Sequence, residues 1–238
     1  MTKINTVGVI AAMQIEIDAL KARLENSETV TISGIDYVSG MLHGKKVIAA
    51  KCGIGKVFAA ICAQTMIIRF APDCIINTGV AGALNKELHI CDIVVGEKTV
   101  QHDMDTSPIG DPVGLVSGIN VVFFENDKNV AGVICESAEK LGFAHRRGII
   151  ACGDQFVADS ATKEKIVKNF GADACEMESA AMAQACYINN VPFGVIRAIS
   201  DGADDGANMD YPTFAKIAAE KGIALTDEFI KNILNTKT

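Results

Sequence analysis

Seven short apolar runs punctuate the chain, "TVGVIAAM", "KKVIAAKCGIG", "DCIINTGVAG", "CDIVVGEKTV", "RRGIIACGD", "DACEME" and "PFGVIRAISD". Several are continuous rather than alternating, as strands buried on both faces should be. Between them lie segments with helical spacing. "MQIEIDALKARL" places Met13, Ile17, Leu20 and Leu24 on one helical face, and "KVFAAICAQTMIIRF" repeats Val57, Ile61, Thr65 and Ile68 before Pro72 marks the exit. "ATKEKIVKNF", "SAAMAQACYINN" and "TFAKIAAEKGIALTDEFIKNIL" are further helical stretches. This alternation predicts an α/β fold, with helices on both sides of a largely parallel or mixed sheet and ligands at the carboxyl ends of the strands. With 238 residues and neither a Pro/Ser-rich linker nor a fixed-period repeat, the chain is expected to form one domain, 1–238.

Composition narrows the function classes. Hydrophobic residues make up 49% and charged residues 21%, enough for a substantial core. Lys and Arg total 22 against 29 Asp and Glu, a net charge of -7, so no sequence-wide cationic field draws nucleic acid or anionic lipid. Apolar stretches stop well short of the roughly 20 residues of a membrane span. The start, "MTKINTVGVIAAM", lacks a signal peptide's basic segment and cleavage site, so a cytoplasmic location is expected. The eight cysteines form no CxxC pair and read as small core side chains in a reducing compartment. Only "QHDMD" (His102, Asp103, Asp105) resembles a ligand cluster, and a strand-end turn explains it equally, so neither metal nor cofactor is expected.

The predicted strand ends, "AAMQIE", "CGIGK", "NTGVAG", "CGDQFV", "CEMES" and "ISDG", gather acidic and glycine residues. "CGIGKVFAA" has the G-x-G of a dinucleotide turn but neither its third glycine nor a following acidic residue, and reads as a tight strand-to-helix turn. In "CEMES", Glu176 and Glu178 are two apart, so a strand would point both to one face; Glu178 equally suits a helix's first turn. A carboxylate there could also accept from two vicinal hydroxyls. Glu16 sits at the border of its helix's apolar stripe, where a solvated flank residue also fits. Asp201, ending an apolar run, could simply cap the following loop.

Taken in order, "GVIAAMQIEIDAL", "CGIGKVFAA", "IINTGVAGAL", "DIVV", "CGDQFV", "EMESAAMAQAC" and "VPFGVIRAISDGAD" resemble the bacterial 5'-methylthioadenosine/S-adenosylhomocysteine nucleosidases of the nucleoside phosphorylase superfamily. The similarity runs from about residue 7 to 234 without a large gap. It implies a three-layer α/β/α sandwich with a twisted mixed central sheet, a homodimer, and hydrolysis of the N-glycosidic bond of 5'-thio-substituted adenosines.

The resemblance also implies roles. Glu16 falls on the carboxylate that activates water and Asp201 on the acid that protonates adenine N7. Glu178 holds the ribose hydroxyls and Met177 packs on the sugar. Phe156 stacks on adenine while the Val157 backbone reads its edge. Ser200 orients Asp201, Arg197 lies near the water and the acidic cluster, and Ile54 and Tyr211 line the 5' pocket. An acid at the base and an anion near the sugar act where charge develops as the bond breaks.

Three departures from the family pattern stand out. Val80 replaces a frequent serine, "AMQIE" replaces "AMEEE", and Ile109 stands where many members carry an aromatic that reaches into a partner subunit's pocket. Rival functions on the same fold are an aminodeoxyfutalosine nucleosidase of menaquinone synthesis and a purine nucleoside phosphorylase. The phosphorylase needs cationic donors for phosphate, which "AAMQIE" and "NTGVAG" lack. A non-catalytic nucleoside sensor is the rival outside enzymes, and it has no use for both Glu16 and Asp201.

Overall fold

A computed structural model describes residues 4–202 and 211–233, the side chains of 211 and 212 excepted. In chain order the elements are β1 (Thr6–Ala11), a 3-10 turn (Gln14–Glu16), α1 (Asp18–Lys21), β2 (Glu25–Ile32), β3 (Ile35–Leu42), β4 (Lys45–Lys51), α2 (Lys56–Phe70), β5 (Cys74–Ala83) and β6 (Ile93–Gln101). A second 3-10 turn (Ser107–Ile109) precedes β7 (Phe123–Glu125), α3 (Lys128–Lys140), β8 (His145–Cys152), α4 (Ser160–Phe170), β9 (Ala174–Glu176), α5 (Ser179–Asn189), β10 (Phe193–Asp201) and α6 (Tyr211–Asn232).

The strands form one mixed sheet, ordered β10-β6-β8-β9-β5-β1-β4-β3-β2, with β7 on β6. β5 runs parallel to β1 and to β10. Because β10 pairs with both β5 and β6, the strands β5, β10, β6, β8 and β9 close a circuit at one end of the sheet. β10 is buried along its whole length up to Ser200, as expected of a strand covered on both faces.

One core lies where α3 and α6 cover β5, β6 and β10, around Ile76, Val95, Ile134, Ile196 and Phe229. A second lies under α2 and α5, around Ile48, Met66, Ile75 and Met182. A third, smaller cluster packs Ile166 and Phe170 of α4 against Val100 and Ala151. The fold is therefore the mixed α/β sandwich that the sequence predicts. No described helix is long and apolar enough to cross a membrane.

One helical expectation needs correction, and the expected helix over 56–70 packs on a face other than its apolar stripe. The segment from 13 to 24 is not one helix: Glu16 ends a 3-10 turn, Ile17 adopts φ -134°, and α1 then lasts four residues. In α2 the stripe of Val57, Ile61 and Ile68 faces outward, with Val57 69% and Ile68 75% exposed. The buried face is Ala59, Cys62, Ala63 and Met66, because close approach to the sheet and to the alanine-rich α5 admits small side chains.

Candidate active site

The carboxyl ends of β1, β5, β9 and β10 surround a cavity of about 120 Å³. Its wall includes Glu16, Ile54, Phe156, Val157, Met177, Glu178, Ser200 and Asp201, eight of the ten positions singled out in the sequence. Arg197 lies behind the wall, and the side chain of Tyr211 is outside the described residues.

Strand β5 makes room for the two outer carboxylates. A Cβ on Gly79 would stand 2.9 Å from Glu16 Oε1, and one on Gly82 would stand 2.8 Å from Asp201 Oδ2. Both distances are too short for a real side chain, so "TGVAG" reads as a strand stripped of side chains where carboxylates must approach its backbone. Three residues of extended strand separate these contacts by roughly 10 Å.

Glu16 is 3% exposed. The broken helix explains how: its Oε2 accepts from the Met13 amide at 2.8 Å, and its Oε1 accepts from the Val80 amide at 3.0 Å. Burial raises its pKa, while those two amides and the Arg197 charge pull it back. The contact from position 80 comes from the backbone, so valine there costs Glu16 nothing at this oxygen. Asp201 ends β10 beyond a bulge, and its Oδ1 accepts from Ser200 Oγ at 2.8 Å.

Between them sit Glu176 and Glu178. Glu176 ends β9 and forms an ion pair with Arg197, and it also accepts from the Ser179 amide and hydroxyl at 2.9 Å and 2.7 Å. Burial alone would raise Glu176, but Arg197 and Ser179 outweigh it and hold it below the usual range. Arg197, 1% exposed, also donates from its two terminal nitrogens to Asn77 Oδ1 and to the Ile196 carbonyl at 2.9 Å, while its Nε has no hydrogen-bond partner among the described residues. Burial would lower its pKa, but Glu176 raises it, so the pair stays charged. A fully buried guanidinium must be paired in this way, which is why it stands behind the cavity rather than on it.

Glu178 follows one residue past the turn, facing the cavity, with Oε1 accepting from the Gly55 amide at 2.8 Å. Burial first and the neighbouring Glu176 second push its pKa up to about 7. The G-x-G turn thus receives protein carboxylates where a dinucleotide fold would receive phosphate: Gly55 holds Glu178, and the Lys56 amide donates to Asp154 Oδ1 at 2.7 Å.

Sequence reasoning missed two members. Glu176 was noted only as the neighbour of Glu178, although its pairing with Arg197 holds the site together. Lys163 of α4 is buried against the Asp201 end of the cavity, its Nζ donating to the Gly202 carbonyl at 3.1 Å. A lysine within an ordinary amphipathic helix pattern carries no signal of that placement. Among the described residues no cluster of His, Cys, Asp and Glu could hold a metal ion, and Asp103 of "QHDMD" instead pairs with Lys56 at 2.7 Å.

The geometry has close counterparts among known proteins. Residues 6–231 match the model of the phosphorylase superfamily. The 5'-methylthioadenosine/S-adenosylhomocysteine nucleosidase of Psychromonas ingrahamii is 38% identical over 95% of this chain and 99% of its own length. The structure of the Neisseria meningitidis enzyme of that name, in complex with methylthio-immucillin-A, superposes with a TM-score of 0.92 at 38% identity, covering 96% of this chain and 99% of that one. A futalosine hydrolase of Helicobacter pylori gives 0.90 at 33% identity over 95% of this chain and 97% of its own. The chain belongs to the phosphorylase superfamily and, within it, to the 5'-methylthioadenosine/S-adenosylhomocysteine nucleosidase family.

Proposed function

We propose that the protein is an N-glycosyl hydrolase that splits 5'-methylthioadenosine and S-adenosylhomocysteine into adenine and the 5-substituted ribose. The observation that carries this reading is the pair of carboxylates, Glu16 and Asp201, at the two ends of one cavity, abutting strand positions roughly 10 Å apart. A sugar and an attacking water would lie between the two carboxyl groups, as in a hydrolase with a separate acid and base.

In the proposed mechanism Glu16 takes a proton from the water that attacks C1'. Its burial-raised pKa makes it a stronger base than a solvated glutamate. The C1'–N9 bond breaks, its electrons pass to the purine, and Asp201 gives N7 a proton. Glu178 accepts from the ribose hydroxyls, Met177 packs on the sugar, Phe156 stacks on the base, and Val157 reads its edge. Ser200 orients Asp201 through its hydroxyl. Arg197, paired with Glu176, acts from behind the wall by keeping one carboxylate of the cluster permanently charged. Ile54, on the cavity wall, flanks the 5' substituent.

Hydrolysis rather than phosphorolysis is favoured by the distribution of cations. The described cavity wall carries one lysine, Lys163, and it is tied to the Asp201 end; the Glu16 end presents a carboxylate that repels phosphate. Likeness to the Helicobacter pylori futalosine hydrolase supports the alternative reading, an aminodeoxyfutalosine nucleosidase. Incubation with methylthioadenosine, adenosylhomocysteine, adenosine, inosine and aminodeoxyfutalosine, followed by detection of free base, tests the assignment. Release of adenine from the thio-substituted adenosines is expected, and their survival would end it.

The active form is further proposed to be a cytoplasmic homodimer working in methionine salvage. Support for the dimer comes from the apolar side chains left exposed on α2, Val57, Phe58 and Ile61, and on the second 3-10 turn, Ile109, the last 81% exposed. All eight cysteines are free thiols, as a reducing compartment requires.

A further inference from the structure

Two loops of the cavity wall, those of Ile54 and of Phe156, meet the loop after β6, and three residues tie them into a closed ring. Lys56, at the start of α2, donates twice: its amide to Asp154 Oδ1 at 2.7 Å and its Nζ to Asp103 Oδ1 at 2.7 Å. Asp154, just after β8, closes the circuit by donating its own amide to Asp103 Oδ2 at 2.9 Å. Each residue therefore makes two of the three bonds, and removing any one opens the ring.

The ring joins the two halves of the site. Asp154 begins the loop that carries Phe156 and Val157. Lys56 follows directly on Gly55, whose amide holds Glu178. Gly55 sits at φ +100°, and its ideal Cβ would lie 3.0 Å from Asp154 Oδ1, so the turn and the aspartate are in contact with no slack. Lys56 and Asp103 are each 18% exposed at the side chain, and burial would raise the Asp103 pKa, but the Lys56 ammonium and the Asp154 amide hold it below the usual carboxylate range. Partial burial makes such a charge-assisted pair stiffer than a surface ion pair. Lys56 Nζ is steadied further by Gln101 Oε1 at 3.2 Å, and Gln101 by Gln184 of α5 at 2.7 Å.

We propose that Lys56, Asp103 and Asp154 form a positioning clamp that fixes the separation between the loop facing the base and the carboxylate facing the sugar. None of the three touches substrate in the proposed mechanism; they act through Phe156, Val157 and Glu178, and the inference rests on the roles given to those residues above. Only a ligand that spans both halves feels the clamp. A base alone engages one half, so its affinity is insensitive to the spacing.

The test uses the full chain, with Asp103→Ala, Lys56→Met, the double variant and Lys56→Arg. Calorimetry measures binding of adenine and of a 5'-methylthio nucleoside analogue whose base is joined through carbon, and kinetics and melting follow on the same samples. For Asp103→Ala, adenine affinity stays within about twofold while the analogue and kcat/KM weaken by about 10- to 100-fold, the order expected from a misplacement near 1 Å. The double variant is no worse than Asp103→Ala alone, because both open the same ring. Lys56→Arg restores most of the loss. Equal weakening of adenine and analogue, or unchanged analogue binding in a folded variant, would overturn the clamp. Should Asp103→Ala fail to fold, Lys56→Met, which keeps the backbone amide, gives the same contrast. Failure of the unaltered protein to bind the analogue would instead strike the site assignment itself.

Discussion

At the scale of single residues, the site keeps four carboxylates in one buried neighbourhood by giving each a different partner. Glu176 has Arg197, Glu16 has two amides, Glu178 has one amide, and Asp201 has a hydroxyl. Glu178 is the least compensated against its surroundings, and its pKa of about 7 against 4.5 has a consequence for stability. A carboxyl raised on folding contributes stability that is fully present below pH 4.5 and is lost as pH rises through about 7. Glu178→Gln should therefore melt higher than the unaltered protein at pH 8, by roughly a few degrees. Near pH 4 the two should melt alike, because the unaltered residue is then largely neutral in both the folded and the unfolded chain. Activity moves the other way: loss of a charge-assisted bond to the ribose hydroxyls, about 1.5–3 kcal/mol, should cut kcat/KM at least tenfold. Melting curves at the two pH values and steady-state kinetics check both arms. Asp201→Asn keeps size and a turn-forming side chain but cannot deliver a proton, so kcat should fall by about 10²–10⁴ with the fold intact. Near-normal kcat in a folded variant would return Asp201 to a capping role.

At the scale of elements, the G-x-G turn and α2 show both what the sequence disclosed and what it withheld. The tight strand-to-helix turn was legible in "CGIGK", but which groups its amides would hold was not, since Glu178 and Asp154 come from 123 and 98 residues away. Gly55→Ala forces a φ of +100° on an L side chain and pushes on Asp154. It should destabilise the protein by about 1–2 kcal/mol and lower kcat/KM. Gly44→Ala, at φ +74° with nothing within 4 Å, should cost similar stability and leave kcat/KM unchanged. Denaturant melts and kinetics on the pair separate strain from site damage. Buried strands such as β5 and β10 were legible because they are continuous apolar runs. The helix expected over 13–24 was not broken by any glycine or proline in the sequence; Glu16 breaks it by turning back onto the Met13 amide and across to the Val80 amide of β5. The hairpin of β2 and β3 was passed over because β2 is almost wholly exposed and shows no apolar pattern. In α2 the periodicity was real, but the larger side chains that made it visible face outward and the small ones face the sheet.

At the scale of the whole molecule, the closed circuit of β5, β10, β6, β8 and β9 brings residues from position 16 to position 201 to one cavity. Most of the site was legible only as an ordered set of strings, each weak alone, since no local pattern reports which strand ends will converge. The outward stripe of α2 is the face through which the proposed dimer would form. Val57→Asp combined with Ile61→Asp should convert a dimer to monomers in sedimentation velocity, and a dimer unchanged by both charges would move the interface elsewhere. The central claim is that Glu16 directs water, not phosphate, at the sugar. Its most direct measurement is mass spectrometry of the sugar released from methylthioadenosine in oxygen-labelled water containing excess phosphate. The account predicts free methylthioribose carrying one labelled oxygen at C1, whereas an unlabelled sugar 1-phosphate would contradict it.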